Sequence, residues 1–234
     1  LGGAAAAAVA NPSYFEDWDG PAVTAWVNPA ATGDLTESVS GNIATVQTGD
    51  VVAVGDYYGI QFDGVTEYAA FAADSSYFSG ITTECTIDAI VRMDDLGANE
   101  ALLGLTGHID IGDNNDTFVI RTNASSAWQS RTRASGSTKT TSIGAGGTPV
   151  NGTTYHVRIV YDSATLLRAR FYVNDMSTHI LQSPAIAESS ALQNAGVTLL
   201  TFGAIEDGTS NAAITFIEFM VRSGIHSDQL AEFS

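Results

Sequence analysis

The chain has 234 residues with 26 Asp and Glu against 9 Lys and Arg, a net charge of −17 that excludes phosphate-directed nucleic-acid binding. Lys139 is its single lysine, and no apolar run approaches the roughly 20 residues that span a bilayer. With 44% hydrophobic and only 15% charged residues, the remainder is rich in Thr, Ser, Asn, Gly and Asp, a composition that suits strands joined by many turns.

In chain order, residues 1–19 stand apart. A Leu-Gly-Gly-poly-Ala run is followed by the aromatic and acidic knot Tyr14-Phe15-Glu16-Asp17-Trp18. The segment reads as an N-terminal arm outside a β domain covering 20–234, ordered by lying against its own domain or a neighbouring subunit. It lacks the basic start of a signal peptide, although its small residues suit a cleavage remnant.

Strand-like runs follow at 51–54, 57–62 and 67–72, and then the alternation becomes regular. Cys85, Ile87, Ala89, Val91 and Met93 alternate with Glu84, Thr86, Asp88, Ile90 and Arg92, placing one set inward and the other mostly outward. Further runs occupy 102–105 and 117–121. Tyr155, Val157, Ile159 and Tyr161 alternate with His156, Arg158, Val160 and Asp162, 167–173 behaves likewise, and 197–202 and 214–222 are further strand-like runs. Asp63-Gly64, Asn151-Gly152, Asn174-Asp175 and Asp207-Gly208 punctuate the runs as turns. One short helix is expected over 230–233, capped by Ser227 or Asp228. Many short strands at even spacing predict an all-β, two-sheet antiparallel jelly-roll sandwich.

Gly59-Ile-Gln-Phe-Asp-Gly-Val-Thr-Glu-Tyr68, Thr86-Ile-Asp-Ala-Ile-Val-Arg92, Tyr155-His-Val-Arg-Ile-Val-Tyr-Asp162 with Phe171-Tyr-Val-Asn-Asp175, Leu199-Leu-Thr-Phe-Gly-Ala204, and Ile217-Glu-Phe-Met-Val-Arg222 occur in this order. Together they resemble the laminin G-like, concanavalin A-like jelly-roll family, with Ile90 where a Trp is common and Asp175 where a turn glycine is usual. The resemblance covers roughly 22–234. It implies a fold that hosts lectins, enzymes, adhesion modules and virion proteins, so function rests on the site. It also implies one structural calcium, with Asp63 and Glu218 in the places that would hold it. The alternative for this pair is a turn-forming Asp and an exposed Glu.

Among other oxygen-rich segments, Asp110, Asp113, Asn114, Asn115 and Asp116 miss the calcium-loop spacing and read as an Asx-rich hairpin loop. His108, His156, His179 and His226 show no metal spacing, and Cys85 reads as a small buried thiol. No Gly-x-Ser-x-Gly elbow occurs, nor the Glu-x-Asp-x-x-Glu strand of the jelly-roll glucanases. A polysaccharide-degrading enzyme therefore requires a carboxylate pair that no motif reveals.

Glycan binding calls for an aromatic platform beside amides and charges. Trp128 with Gln129, Arg131 and Arg133 is the first candidate, and Tyr57 with Tyr58 the second; the competing reading makes Trp128 a core residue. Arg131, Arg133 and Lys139 also form a basic cluster suited to an acidic neighbour such as the knot of another copy. The leading expectation is a non-catalytic, surface-displayed protein, a phage or virus capsid decoration or fibre component. Its arm would anchor it to other subunits as a homo-oligomer, capsid or filament, on a virion or otherwise outside the cell. The alternative is a secreted or cell-surface carbohydrate-binding module, with glycans as partners.

Overall fold

The computed structural model describes residues 23–27, 29, 35, 44, 46–72, 83–95, 101–106, 118–134, 137–142, 147–164, 168–175, 180–182, 186–187, 192, 199–204 and 211–224. The expected arm, the Asx-rich segment and the terminal helix lie outside these residues.

The strands in chain order are β1 (Val23–Val27), β2 (Val46–Gln47), β3 (Asp50–Val54), β4 (Tyr57–Gln61), β5 (Ala69–Ala72), β6 (Glu84–Met93), β7 (Ala101–Thr106) and β8 (Phe118–Thr122). They continue as β9 (Trp128–Ala134), β10 (Ser137–Ser142), β11 (Thr154–Asp162), β12 (Arg168–Asn174), β13 (Ile180–Gln182), β14 (Ile186–Ala187), β15 (Leu199–Phe202) and β16 (Ile214–Ser223). One sheet runs β13-β12-β11-β6-β16-β4-β3, with β1 added on β16 and β14 on β12; the other runs β10-β9-β8-β7-β15-β5-β2. Every pairing among the described strands is antiparallel. The all-β, two-sheet antiparallel sandwich expected from the sequence is what forms.

The alternating strands set the core. Cys85, Ile87, Ala89, Val91 and Met93 of β6 and Val157, Ile159 and Tyr161 of β11 face the second sheet, all buried. An aromatic seam crosses between the layers: Phe202 of β15 lies 4.2 Å from Phe216 and 5.4 Å from Phe219 of β16, ring centre to ring centre. Trp128 closes the other side, edge-on to Tyr155 at 5.2 Å and to Phe171 at 6.5 Å.

The far face of the first sheet departs from the expected alternation. Thr86, Asp88 and Ile90 are 0% exposed, and His156, Arg158, Glu218 and Arg222 are at most 3% exposed. In β16 a bulge between Phe216 and Glu218 admits Ile217 as an extra residue. Ile217 thereby joins Ile90 and Met220 in a second apolar cluster, flanked by Val54 and Tyr57.

Asp88 clasps this face. It lies across from Arg158 on β11 and from Met220 on β16. Its carboxylate accepts from Arg158 Nε, from His156 Nε2 at 2.7 Å and from Arg222 Nη2 at 2.8 Å. Burial alone would raise the Asp88 carboxyl, but Arg158, His156 and Arg222 hold it well below the usual carboxylate range. Burial lowers the His156 pKa more strongly than Asp88 raises it, so the imidazole is neutral and its Nε2–H is the donor.

Candidate functional site

The site begins with a short sequence, Phe62-Asp63-Gly64-Val65-Thr66-Glu67-Tyr68, between β4 and β5. Asp63 organises it: the backbone N–H groups of Val65, Thr66 and Glu67 donate to its Oδ1 at 2.8, 2.8 and 2.9 Å. The Thr66 hydroxyl donates to Oδ2 at 3.0 Å. These bonds, the Thr66 and Val65 amides foremost, pull the Asp63 pKa down to about 2 although the residue is exposed. Gly64 turns the loop at φ +72°, and a Cβ there would sit 2.8 Å from the backbone nitrogen of Ala213. Glycine lets the loop close on Ala213, just ahead of β16.

Ala213 is also where the end of β6 docks, because its carbonyl accepts the N–H groups of Asp94 and Asp95, each at 3.0 Å. Four chain segments thus converge around an open cleft of about 410 Å³, lined by Asp50, Gln61, Phe62, Asp63, Glu67, Asp94, Asp95 and Ala213. Five of the eight lining residues carry carboxylates, and none is Lys or Arg.

The carboxylates differ in how far they are engaged. Asp94 Oδ1 pairs with Arg92 Nε at 2.7 Å, while its Oδ2 accepts from the Thr215 hydroxyl at 2.6 Å and from Gln61 Nε2 at 3.3 Å. Thr215 in turn accepts from Arg92 Nη2 at 3.0 Å. This chain fixes one wall of the cleft. Asp95 accepts from Asn151 Nδ2 at 3.4 Å. Asp50 is exposed and Glu67 half-buried, and both present acceptors to the opening. A rim of acceptors beside a primary amide can take hydrogen bonds from ligand hydroxyls or ammonium groups and repels anions.

The expected aromatic platform fails at its centre. Trp128 is 0% exposed and packed between the sheets, where its Nε1 has no hydrogen-bond partner, so it offers no face to a sugar. Alternation explains this, because Trp128 shares the inner face with Phe118 and Ile120 of β8. Gln129 and Arg131, on the opposite face, are 8% and 7% exposed. Gln129 is spent structurally: Arg121 Nε donates to its Oε1 at 2.7 Å, and its Nε2 donates to Ser142 Oγ at 3.0 Å. Tyr57 and Tyr58 are half-buried at the far end of β4 from the cleft, with Tyr57 against the Ile90–Ile217–Met220 cluster.

The pair expected to hold calcium is not brought together. Asp63 sits beside Ala213, whereas Glu218 lies five residues along β16, about 15 Å away at strand rise, and is 1% exposed rather than on the surface. These residues do not fit a shared cation. Among the described residues, no group of three or more His, Cys, Asp and Glu side chains is placed to hold a metal. Cys85 is buried as expected, its thiol pushed up to about 12 by desolvation.

Sequence reasoning found Asp63 through its turn and missed Asp50, Gln61, Glu67, Asp94 and Asp95, which no local pattern connects. It also missed the Asp88 clasp, whose only signal is a set of charged residues at matching positions of strands that turn out to be neighbours.

No protein-family model and no curated protein matches the sequence. Solved structures do match in fold. Trypanosoma rangeli sialidase in complex with the inhibitor DANA superposes with a TM-score of 0.62 at 15% identity, over 96% of this chain and 35% of that one. The binding domain of Paraclostridial Mosquitocidal Protein 1 gives 0.64 at 14% identity, over 90% of this chain and 51% of that one. The binding domain of Botulinum neurotoxin DC in complex with rat synaptotagmin II gives 0.61 at 12% identity, over 91% and 51%. The chain therefore spans about a third to a half of these proteins and shares with them a β-sandwich fold.

Proposed function

We propose that the chain is a non-catalytic, carbohydrate-binding module whose site is the acidic cleft, with neutral, polyhydroxylated sugars as its ligand class. The observation that carries this reading is the cleft lining, with five carboxylates, one amide and no cation. Such acceptors match the paired hydroxyls of a sugar ring, while their summed charge excludes sialic or uronic acids. Asp63, held down near pH 2, is the reverse of the general acid that glycoside hydrolysis needs. The likeness to toxin binding domains and to a sialidase is compatible with a recognition module, although it extends to the fold alone.

The test is a glycan screen with neutral and acidic sugars, followed by calorimetry on Asp50→Asn, Glu67→Gln and Gln61→Ala. Neutral sugars are expected to bind, and each substitution to weaken binding by about three- to tenfold, the worth of one hydrogen bond. Binding confined to acidic sugars, or left intact in all three variants, overturns the site. The composition of residues 1–19 favours display of the module on a larger assembly, such as a virion, through that segment. Removing 1–19 is then expected to abolish docking on the assembly and leave sugar affinity unchanged.

A further inference from the structure

Register places four polar side chains in one row across the first sheet. Asp50 of β3 pairs with Gln61 of β4, Gln61 with Thr215 of β16, and Thr215 with Arg92 of β6. Cross-strand partners share a face, with Cβ atoms about 4.5–5.5 Å apart. Asp94, two residues beyond Arg92, reaches back to Arg92, Thr215 and Gln61.

The direction of every hydrogen bond in this group is settled by its two ends, because a guanidinium only donates and a carboxylate only accepts. Arg92 therefore donates to Asp94 Oδ1 through Nε at 2.7 Å and to Thr215 Oγ1 through Nη2 at 3.0 Å. Thr215 Oγ1, with Arg92 as its donor, sends its own hydrogen to Asp94 Oδ2 at 2.6 Å. Gln61 reaches the same Oδ2 at 3.3 Å, and only its Nε2 has a hydrogen to give. Thr215 is buried and Arg92 and Asp94 half-buried, so water competes little for these bonds.

The Gln61 carboxamide is planar, with its carbonyl on the other arm from its nitrogen. With Nε2 on the β16 side, Oε1 turns to the β3 side, where Asp50 stands. Among the described residues nothing donates to Gln61 Oε1 or to the Asp50 carboxylate. Two acceptors thus line the cleft side by side with no donor between them. We infer that Asp94, held by Arg92 and Thr215, is a positioning residue that aims the Gln61 carbonyl at the ligand beside Asp50, so that the cleft selects sugars by hydroxyls that donate. The inference rests on the carbohydrate-binding reading and sharpens it: a hydroxyl can donate or accept, and at this point it must donate. Fluorine in place of that hydroxyl is nearly the same size, cannot donate, and is refused.

Asp94→Asn reverses the arrangement, because Arg92 keeps the Asn oxygen and turns the new NH2 toward Gln61. Gln61 must then accept through Oε1 and present its own NH2 to the ligand. Heteronuclear NMR of the full chain follows the Gln61 side-chain NH2 signals, identified by their loss in Gln61→Ala. In the wild type, exchange of one hydrogen is expected to be slowed about three- to tenfold relative to an exposed glutamine, and Asp94→Asn is expected to abolish that protection. Methyl glucoside, methyl galactoside and their monodeoxyfluoro analogues are then titrated into both proteins. The wild type should lose at least about tenfold in affinity for fluorine at one ring position or more, and Asp94→Asn less than about threefold for the same analogue.

An unprotected Gln61 NH2 in the wild type overturns the inference without recourse to a variant. So do signals unchanged in an Asp94→Asn protein with a wild-type circular dichroism spectrum, or fluorine treated alike by the two proteins. If neither glycoside binds the wild type while the Gln61 signals behave as expected, the carbohydrate reading has failed and the positioning by Asp94 has not.

Discussion

Asp63 and Asp88 are both held below the ordinary aspartate range, by opposite means. Asp63 is exposed and bound by amides two to four residues ahead of it in the chain. Asp88 is 0% exposed and held by three side chains brought from 68 to 134 residues away. The first arrangement is a property of a heptapeptide, costs little desolvation, and leaves neighbouring carboxylates open to a ligand. The second exists only once β6, β11 and β16 have paired, and then it locks them. Acidity at the cleft is available for recognition, whereas acidity in the clasp is consumed by the fold.

Substitutions separate the two roles. The largest loss is expected for Asp88→Ala, which leaves the Arg158 and Arg222 charges buried without their carboxylate. About 4–5 kcal/mol, or outright failure to fold, should appear in urea denaturation. Trp128→Ala comes next, at about 3 kcal/mol from the cavity between Tyr155 and Phe171. Its sugar affinity should stay at the wild-type value wherever the variant remains folded; selective loss of binding would restore Trp128 as a platform.

The third effect is a pH dependence. His156 has a folded pKa below its ordinary 6.5, so the unfolded chain takes up a proton that the folded one refuses, with Asp88, Arg158 and Arg222 facing the ring. Its contribution is complete above pH 6.5 and is lost as pH falls below that value. His156→Gln should flatten the melting temperature between about pH 6.5 and 5 relative to wild type. The smallest effect belongs to Asp63. Its stabilisation is present above 3.8 and disappears as pH falls through about 2, so Asp63→Asn should remove that segment of the acid titration and change neutral-pH stability only slightly. Equal losses for Asp63→Asn and Asp88→Ala would erase the distinction between them.

Strands with one apolar face were legible in the sequence. β6, β11 and β12 announce themselves by period-two alternation, and the Asp63-Gly64 turn falls where it was read. β10 was not legible, because Ser-Thr-Lys-Thr-Thr-Ser has no alternation and owes its extension to pairing with β9. Alternation also assigned Asp88, His156 and Arg158 to solvent, since period two separates faces without saying whether the second face is covered. The cleft was beyond reach for a different reason: Asp50, Glu67 and Asp94 come from three segments whose juxtaposition is decided by strand order. Exposure of Trp128 depended likewise on which face of β9 turns inward, and Phe118 and Ile120 of β8 settle it.

The extra residue in β16 has a consequence for comparing sequences. Ahead of Ile217, the inward positions of the strand are even-numbered, Ile214 and Phe216; beyond it they are odd-numbered, Phe219 and Val221. A relative lacking that residue keeps both halves in place only if the alignment carries a one-residue gap at this point. Aligned without it, every position from Glu218 onward is compared with a residue from the opposite side of the sheet, and the closing strand of a true homologue looks unrelated.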